Sequence, residues 1–212
     1  MAFPVNGIID SLQSAGGLSA NWTSPSQGQP ATVTENATGA TGGAAGAVGA
    51  AYYNAATFGA DCEVYMTVGS IGATSCGIVL RCTNPGGTSA PTLNFYEWSV
   101  GATGQTLYKV VNGAATSIGT SSQTVSAGDS IGMSVVGTSI QTYYKSGAGA
   151  WGALGAPVSS SSVTGTGFLG FYVAGNAFRV TNFGGGTLAA TAGTSVVAPT
   201  QSPAIVAAHY PI

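Results

Sequence analysis

Charged side chains are scarce in this chain. Asp, Glu, Lys and Arg together make up 5% of its 212 residues, whereas about 25% is usual in a soluble domain. The surface must therefore consist largely of Ser, Thr, Gly, Asn, Gln and Ala. Disorder does not explain this composition, because disordered chains combine high charge with few aromatic residues. This chain has seven Phe, nine Tyr and three Trp.

Basic residues are the scarcest group, and no two of them are close in sequence: Arg81, Lys109, Lys145 and Arg179. A nucleic-acid-binding protein needs a basic cluster to neutralise phosphates, and a membrane-surface segment needs a polybasic run. We therefore predict no nucleic-acid partner and no membrane partner. The N-terminus also lacks the basic and apolar regions of a standard secretory signal.

Cysteine and histidine are rare as well. Cys62, Cys76 and Cys82 form no CxxC pair, and the one histidine, His209, is far away in sequence. Zinc sites need about four ligands, and calcium sites need several clustered oxygens, so we predict no metal and no cofactor. Each cysteine falls in an apolar row and is interpreted as a small buried hydrophobic residue. A disulfide or a metal site is the alternative.

Catalytic motifs are missing too. The sequence has no Gly-x-Ser-x-Gly elbow and no Gly-rich loop that opens a helix. The nearest acidic pair, Asp61 and Glu63, shares one strand face at a spacing of about 7 Å, a separation seen in glycosidases. No other acid is close in sequence. The pair is interpreted as a solvated strand face, with Glu63 opposite Arg81, and the protein as a non-enzyme.

What the sequence does contain is a series of short alternating segments between Gly, Ser and Asn clusters. This pattern predicts strands that start near residues 31, 47, 61, 77, 92, 106, 129, 139, 167 and 177. Asn112-Gly113 and Gly137-Thr138 are predicted hairpin turns. The best helix candidate is the short segment "NGIIDSLQS" at residues 6–14. Many strands without intervening helices predict a sandwich or a barrel.

The predicted domain organisation is one domain over residues 1–188, followed by an arm over residues 189–212. The arm is rich in Ala, Thr and Pro, and we expect it to dock on the domain or on a neighbouring molecule. Residues 37–50 have a low-complexity composition of Ala, Gly and Thr. They are interpreted as a loop entering a strand whose small side chains allow close packing.

Three stretches together resemble the concanavalin A-like jelly-roll family, which includes laminin-G-like and pentraxin-like domains. The stretch "IIDSLQSAGGLSANWTS" (8–24) is similar to the opening of phage and bacterial members. Residues 107–151 resemble their central hairpins, and residues 164–186 their closing strands. The resemblance implies an all-β, two-sheet antiparallel jelly-roll sandwich. The Glu-x-Asp-x-x-Glu pattern of members that hydrolyse β-glucans is absent.

Aromatic residues beside Asn are the remaining candidates for ligand binding, because the apolar faces of sugars pack on rings. The candidate glycan-binding residues are Asn94, Tyr96, Trp98, Tyr143 and Trp151. Strand alternation places the first three on one face, and Phe95 and Glu97 on the other. The alternative is that most of these rings fill the core or an interface.

Two functions are predicted from these observations. The first is a non-enzymatic virion protein, assembled in the host cytoplasm and located on the virion surface. It would be a bacteriophage capsid decoration (cement) protein, or a minor tail or spike subunit, that binds major capsid or other virion proteins as a homo-oligomer such as a trimer. Scarce charge lowers the desolvation cost of such contacts. The alternative is a carbohydrate-binding module or host-glycan adhesin, whose aromatic surface is open to solvent.

Overall fold

The computed structural model describes residues 2–26, 32–43, 46–86, 92–101 and 104–189. These ranges contain no helix, and hence none that could cross a membrane. Their strands are β1 (Ile8–Asp10), β2 (Trp22–Thr23), β3 (Thr34–Asn36), β4 (Gly39–Thr41), β5 (Val48–Tyr53), β6 (Cys62–Ser70), β7 (Ser75–Thr83), β8 (Asn94–Gly101), β9 (Gln105–Val111), β10 (Ala114–Ser121), β11 (Ser130–Val136), β12 (Ser139–Lys145), β13 (Gly152–Ala153), β14 (Val158–Ser159), β15 (Phe168–Ala174) and β16 (Arg179–Thr187).

The strands form two sheets. Sheet A has the order β13-β12-β11-β6-β16-β4-β3, with β1 also paired to β16 and β14 to β12. Sheet B has the order β10-β9-β8-β7-β15-β5-β2. Neighbouring strands are antiparallel throughout, as between β11 and β6 and between β7 and β8. The predicted all-β, two-sheet antiparallel sandwich is confirmed.

The core lies between the two sheets because alternate side chains of each strand point to the same face. In β6 the inward side chains of Cys62, Val64, Met66 and Val68 are almost fully buried. An aromatic cluster belongs to the same core. There the Trp22 ring contacts Phe171 and Phe183 edge-on, with ring centroids 5.1 and 5.0 Å apart, a favoured arrangement for buried aromatic rings.

All ten predicted segments contain a strand, and the predicted turns are present. Asn112 and Gly113 have φ values of 50° and 75°, as a tight hairpin turn of this kind requires. Gly137 has a φ of 58° between β11 and β12. The strands paired by this turn run in unbroken register from Val136↔Ser139 to Ser130↔Lys145.

The predicted helix over residues 6–14 is wrong. Residues Ile8–Asp10 form β1, whose Ile8 and Asp10 pair with Gly184 and Phe183 of β16. The period of a short apolar segment does not distinguish a helix from a strand. Hydrogen bonding to β16 therefore determines that this segment is a strand. Leu12 then takes a φ of 54° and becomes fully buried, which is incompatible with a continuous helix.

Several strands were not predicted, and β10 (Ala114–Ser121) is the longest of them. It is an edge strand that contains Ala, Thr, Ser and Gly with one Ile, and most of it is exposed. Without large residues on alternate positions, such a strand gives no periodic signal. The other missed strands have only two or three residues.

For the Ala- and Gly-rich segment, the close packing and the entry into β5 are confirmed, but its loop also contains the unpredicted strand β4 (Gly39–Thr41). A Cβ atom on Gly42 would lie 2.4 Å from the carbonyl oxygen of Val173, and one on Gly49 would lie 3.1 Å from the Cα of Gly42. Only a residue without a side chain fits between these backbones. The predicted arm lies, from residue 190 onward, outside the described residues.

Arg81 is a buried cation in β7, with 2% of its surface exposed. Its Nε donates to the Ala60 carbonyl at 2.6 Å, its Nη1 to Val163 at 2.9 Å and its Nη2 to Gly137 at 2.8 Å. The carboxylate of Asp61 lies 3.8 Å from Nη2. A buried charge is tolerated only when it is paired and hydrogen-bonded in this way.

We expect Arg81→Met to lower the free energy of unfolding by about 3–5 kcal/mol, because it removes a buried cation together with its hydrogen bonds to three carbonyls and its ion pair with Asp61. Urea denaturation measures this loss. Arg179→Met is the matched control, since Arg179 makes one long, exposed hydrogen bond at 3.4 Å. Equal destabilisation by the two variants would contradict the structural role given to Arg81.

The three cysteines are buried and unpaired, as the interpretation of small buried hydrophobic residues requires. Burial raises the pKa of each of the three thiols to about 12. The Arg81 guanidinium counteracts part of this shift at Cys62. Because the thiolate is the reactive form, these side chains are poor nucleophiles in the folded protein.

We therefore expect the native protein to react with a thiol reagent such as dithionitrobenzoate only on the timescale of unfolding. After denaturation all three thiols should react at once, since the chain contains three cysteines. The release of chromophore before and after addition of guanidinium chloride measures both. Rapid labelling of the native protein would show that at least one of these residues is accessible.

Candidate functional site

Two of the five predicted glycan-binding residues lie in the core. Tyr96 is 0% and Trp98 is 2% exposed, and both point inward from β8. The Tyr96 hydroxyl donates to the Ser160 carbonyl at 3.0 Å and accepts from the Val163 amide at 3.1 Å. Neither ring presents a face to solvent in this fold.

Asn94 stabilises a turn instead of facing a groove. Its Oδ1 accepts a hydrogen bond from the Asn112 amide at 2.8 Å, and its Nδ2 donates to the Thr92 carbonyl at 2.9 Å. These contacts link the start of β8 to the turn between β9 and β10. The side chain is therefore used within the fold.

Tyr143 and Trp151 are the two predicted residues that lie together. Both are half-buried on the outer face of sheet A. The ring of Phe3 stacks on Tyr143, with centroids 3.8 Å apart and planes 4° from parallel. It also contacts Trp151 and Tyr65 edge-on, at 4.9 and 6.4 Å. This aromatic cluster is covered by the chain itself.

Residues 2–6, the N-terminal strap, lie across this face of sheet A. The amides of Val5 and Asn6 donate to Oε1 of Glu63 at 2.7 and 2.5 Å, and the Asn6 side chain adds a third bond at 3.0 Å. Glu63 is consequently 1% exposed. The predictions that Glu63 is solvated and faces Arg81 are wrong, because the strap covers it and Arg81 pairs with Asp61.

Phe3→Ala should uncover Trp151 and cost about 1–2 kcal/mol of stability, less than the 3–5 kcal/mol typical of a fully buried Phe. Quenching of tryptophan fluorescence by acrylamide measures the exposure, since Trp22 and Trp98 stay buried in the core. Val5→Ala is the control, because the Val5 side chain is 59% exposed. Unchanged quenching in Phe3→Ala would show that the strap does not shield the ring.

The opposite surface of the molecule carries an open groove. Outward side chains of β5, β15, β7, β8 and β9 on sheet B line a cavity of about 460 Å³, the sheet B groove. Its lining is mainly apolar and includes the half-buried rings of Tyr52, Phe95 and Tyr172. Val79 lies on the floor, and Glu97 supplies a carboxyl group.

The register of sheet B places four groove residues, Tyr52, Gly170, Val79 and Glu97, in one row across the strands, and Tyr108 of β9 continues the row beyond the groove lining. Tyr52 pairs with Gly170, Gly170 with Val79, Val79 with Glu97, and Glu97 with Tyr108. Because neighbouring strands lie about 4.8 Å apart, the row is roughly 19 Å long. A tyrosine stands at each end, the carboxyl group lies between them, and a glycine keeps the floor low.

Tyr172 lies flat against the sheet beside this row. A Cβ atom on Gly77 would lie 2.3 Å from the Tyr172 ring, so the glycine makes room for it. The Tyr172 hydroxyl forms hydrogen bonds with the hydroxyls of Ser99 and Ser75, the latter at 3.4 Å. Burial raises the pKa of the Tyr172 phenol well above its usual range, and the nearby Glu97 adds to the shift.

Glu97 is a groove residue whose protonation state changes near neutral pH. Burial raises the pKa of its carboxyl group to about 7, although a hydrogen bond with Tyr172 acts in the opposite direction. The group is therefore a mixture of acid and carboxylate at neutral pH. It accepts hydrogen bonds when ionised and also donates one when protonated.

Alternation in the segment "NFYEWSV" was the signal that separated these two environments. It placed Phe95 and Glu97 on one face and Tyr96 and Trp98 on the other, and the structure confirms that division. The period of two does not say which face points inward. Because Trp98 was predicted to stack on a sugar, the predicted residues of β8 are those of the core face. Phe95 and Glu97, which line the groove, were not predicted.

Solved structures share this fold, whereas no protein-family model and no curated protein matches the sequence. The carbohydrate-binding module CBM66 from Bacillus subtilis is 17% identical and has a TM-score of 0.59; the match covers 79% of this chain and 94% of that one. The Ca²⁺-bound exoplasmic/lumenal domain of VIP36 is 11% identical with a TM-score of 0.60, covering 84% and 90%. A Bacillus licheniformis β-glucanase is 11% identical with a TM-score of 0.52, covering 87% and 99%.

At these identities the similarity shows the fold, and the predicted concanavalin A-like jelly-roll sandwich is confirmed. None of the three structures is named as a virion protein. The glucanase shares the architecture, but the described lining of the sheet B groove contains one carboxyl group, that of Glu97. Glycoside hydrolases usually act with a pair of carboxyl groups. Glu63 does not complete a pair, since it lies on the outer face of sheet A.

Proposed function

We propose that this chain is a non-catalytic carbohydrate-binding domain that holds a glycan in the sheet B groove. The observation that carries the proposal is the row on sheet B, which puts the Tyr52 ring and the Glu97 carboxyl group in an open groove and continues to Tyr108 on the neighbouring strand. The similarity of the fold to a carbohydrate-binding module and to the lumenal domain of VIP36 supports it.

The chemistry of the row suits a sugar chain. Sugars present apolar C–H faces, which pack on the rings of Tyr52 and Tyr108, and hydroxyl groups at their edges. Glu97 accepts hydrogen bonds from such hydroxyls, and bonds to a charged group are stronger than neutral ones. Because the row is roughly 19 Å long, it suits a short oligosaccharide that lies across the strands better than it suits a single sugar unit.

The strap favours the sheet B groove over the sequence-predicted surface around Tyr143 and Trp151. Phe3 already occupies the flat face of Tyr143, so a ligand would have to displace it. No comparable segment among the described residues crosses the row on sheet B, which opens into the cavity.

The virion location, the coat-protein partners and the oligomeric state stay predictions. They derive from the scarcity of charge and from the resemblance to phage members of the family. A glycan-binding domain carried on a virion surface would combine both predicted functions.

A screen on immobilised glycans, followed by calorimetry on the retained oligosaccharide, tests the proposal. We expect Tyr52→Ala to weaken binding roughly tenfold, since an aromatic ring that packs on a ligand typically contributes more than about 1 kcal/mol. Trp151→Ala is the matched control on the other face and should leave the affinity unchanged.

Two outcomes would overturn the proposal. Loss of binding in Trp151→Ala with full binding in Tyr52→Ala would move the site to sheet A. Retention on none of a broad set of plant, bacterial and animal glycans would remove the carbohydrate-binding function itself.

A further inference from the structure

The four basic side chains of this protein all lie away from the sheet B groove. Arg81 is enclosed in the interior, where it bonds to backbone carbonyls. Lys109 belongs to β9, but it pairs with the inward residue Tyr96 and therefore points to the other face of the sheet. Its Nζ lies 3.3 Å from the hydroxyl of Ser162.

The other two bases belong to sheet A. Lys145 ends β12, and its Nζ lies 6.0 Å from the centre of the Trp151 ring. Arg179 starts β16 and donates to the Asn36 side chain at 3.4 Å. Because the chain has only four Lys and Arg residues, none is left to neutralise a negative charge in the groove.

The groups that face Glu97 within the described residues include no carboxylate and no basic side chain. From β9 it meets Tyr108, from β7 Val79, and from β15 Tyr172, with Tyr52 further along the row. Phenols ordinarily stay protonated well above neutral pH. Glu97 is therefore the source of charge at the centre of the groove.

We propose that Glu97 makes the sheet B groove selective for uncharged glycans over glycans that carry carboxylate or sulfate groups. This inference rests on the proposed carbohydrate-binding function and names its ligand class. A uronic acid bound along the row would bring a second negative charge close to Glu97, with no Lys or Arg side chain there to compensate either. Charges within a few ångströms of each other in a partly desolvated groove repel strongly. A neutral sugar instead donates hydroxyl hydrogen bonds to the same carboxylate.

The preference for uncharged glycans should increase as the pH rises. The pKa of the Glu97 carboxyl group is about 7, so the group is largely neutral at pH 6 and largely ionised at pH 8. Sugar carboxylates stay ionised across this range, since ordinary carboxyl groups titrate near pH 4. Repulsion therefore appears as the pH rises, and preference for the neutral glycan should increase from pH 6 to pH 8.

The test compares two probes: a neutral hexose oligosaccharide retained in the glycan screen, and the same oligosaccharide with its C6 hydroxymethyl groups oxidised to carboxylates. Calorimetry gives the ratio of their dissociation constants at pH 6 and pH 8. We expect this ratio to rise about tenfold in the native protein. In Glu97→Gln, which keeps the shape and removes the charge, it should stay constant.

His209→Gln is the control for the one histidine, since histidine is the side-chain type whose charge ordinarily changes between pH 5 and 8, and it should behave like the native protein. The inference is overturned if the native ratio does not change with pH, a result that needs no variant to fold. It is also overturned if Glu97→Gln keeps the pH dependence, if His209→Gln abolishes it, or if the screen retains only acidic glycans. That last outcome leaves the carbohydrate-binding function intact, whereas retention of no glycan at all removes it.

Discussion

The buried guanidinium group of Arg81 is the constraint on which the arrangement of sheet B depends. It binds carbonyls from three chain segments that are separate in sequence, at Ala60, Gly137 and Val163. Its φ of 51° coincides with the shift in register between β7 and β8. Val79, two residues before it, forms the floor of the groove. The cation thus fixes the strand that carries the centre of the row.

The two outer faces of the sandwich differ because only one of them has a cover. On sheet A, Glu63 has an apolar and aromatic surrounding but satisfies its charge with the amides of the strap. On sheet B, Glu97 has a similar surrounding without such donors, and burial raises its pKa instead. The same residue type on the same kind of strand is therefore structural on one sheet and available for a ligand on the other.

The sequence allowed the prediction of the strands, several turns and the two-sheet class, because alternation and Asn-Gly or Gly turns are local signals. It did not allow the prediction of the sheet B groove. Whether Trp98 or Glu97 faces the core depends on which side the second sheet packs, which is a property of the whole fold. β1 was missed because its pairing partner Gly184 lies far along the chain, and the strap was missed for the same reason.

The scarcity of charged residues, from which a structural role in a virion was predicted, also affects the electrostatics of the sheet B groove. A surface with many Lys and Arg residues would supply counter-charges to almost any groove, and one carboxyl group would then have little influence on ligand choice. Here the four bases are held in the interior or on other faces. A single acid in a partly desolvated groove then dominates the local potential, because neighbouring apolar groups and phenols do not screen it as water would. Low charge thus makes the ionisation of one residue, Glu97, decisive for the sign of the ligands that the groove accepts.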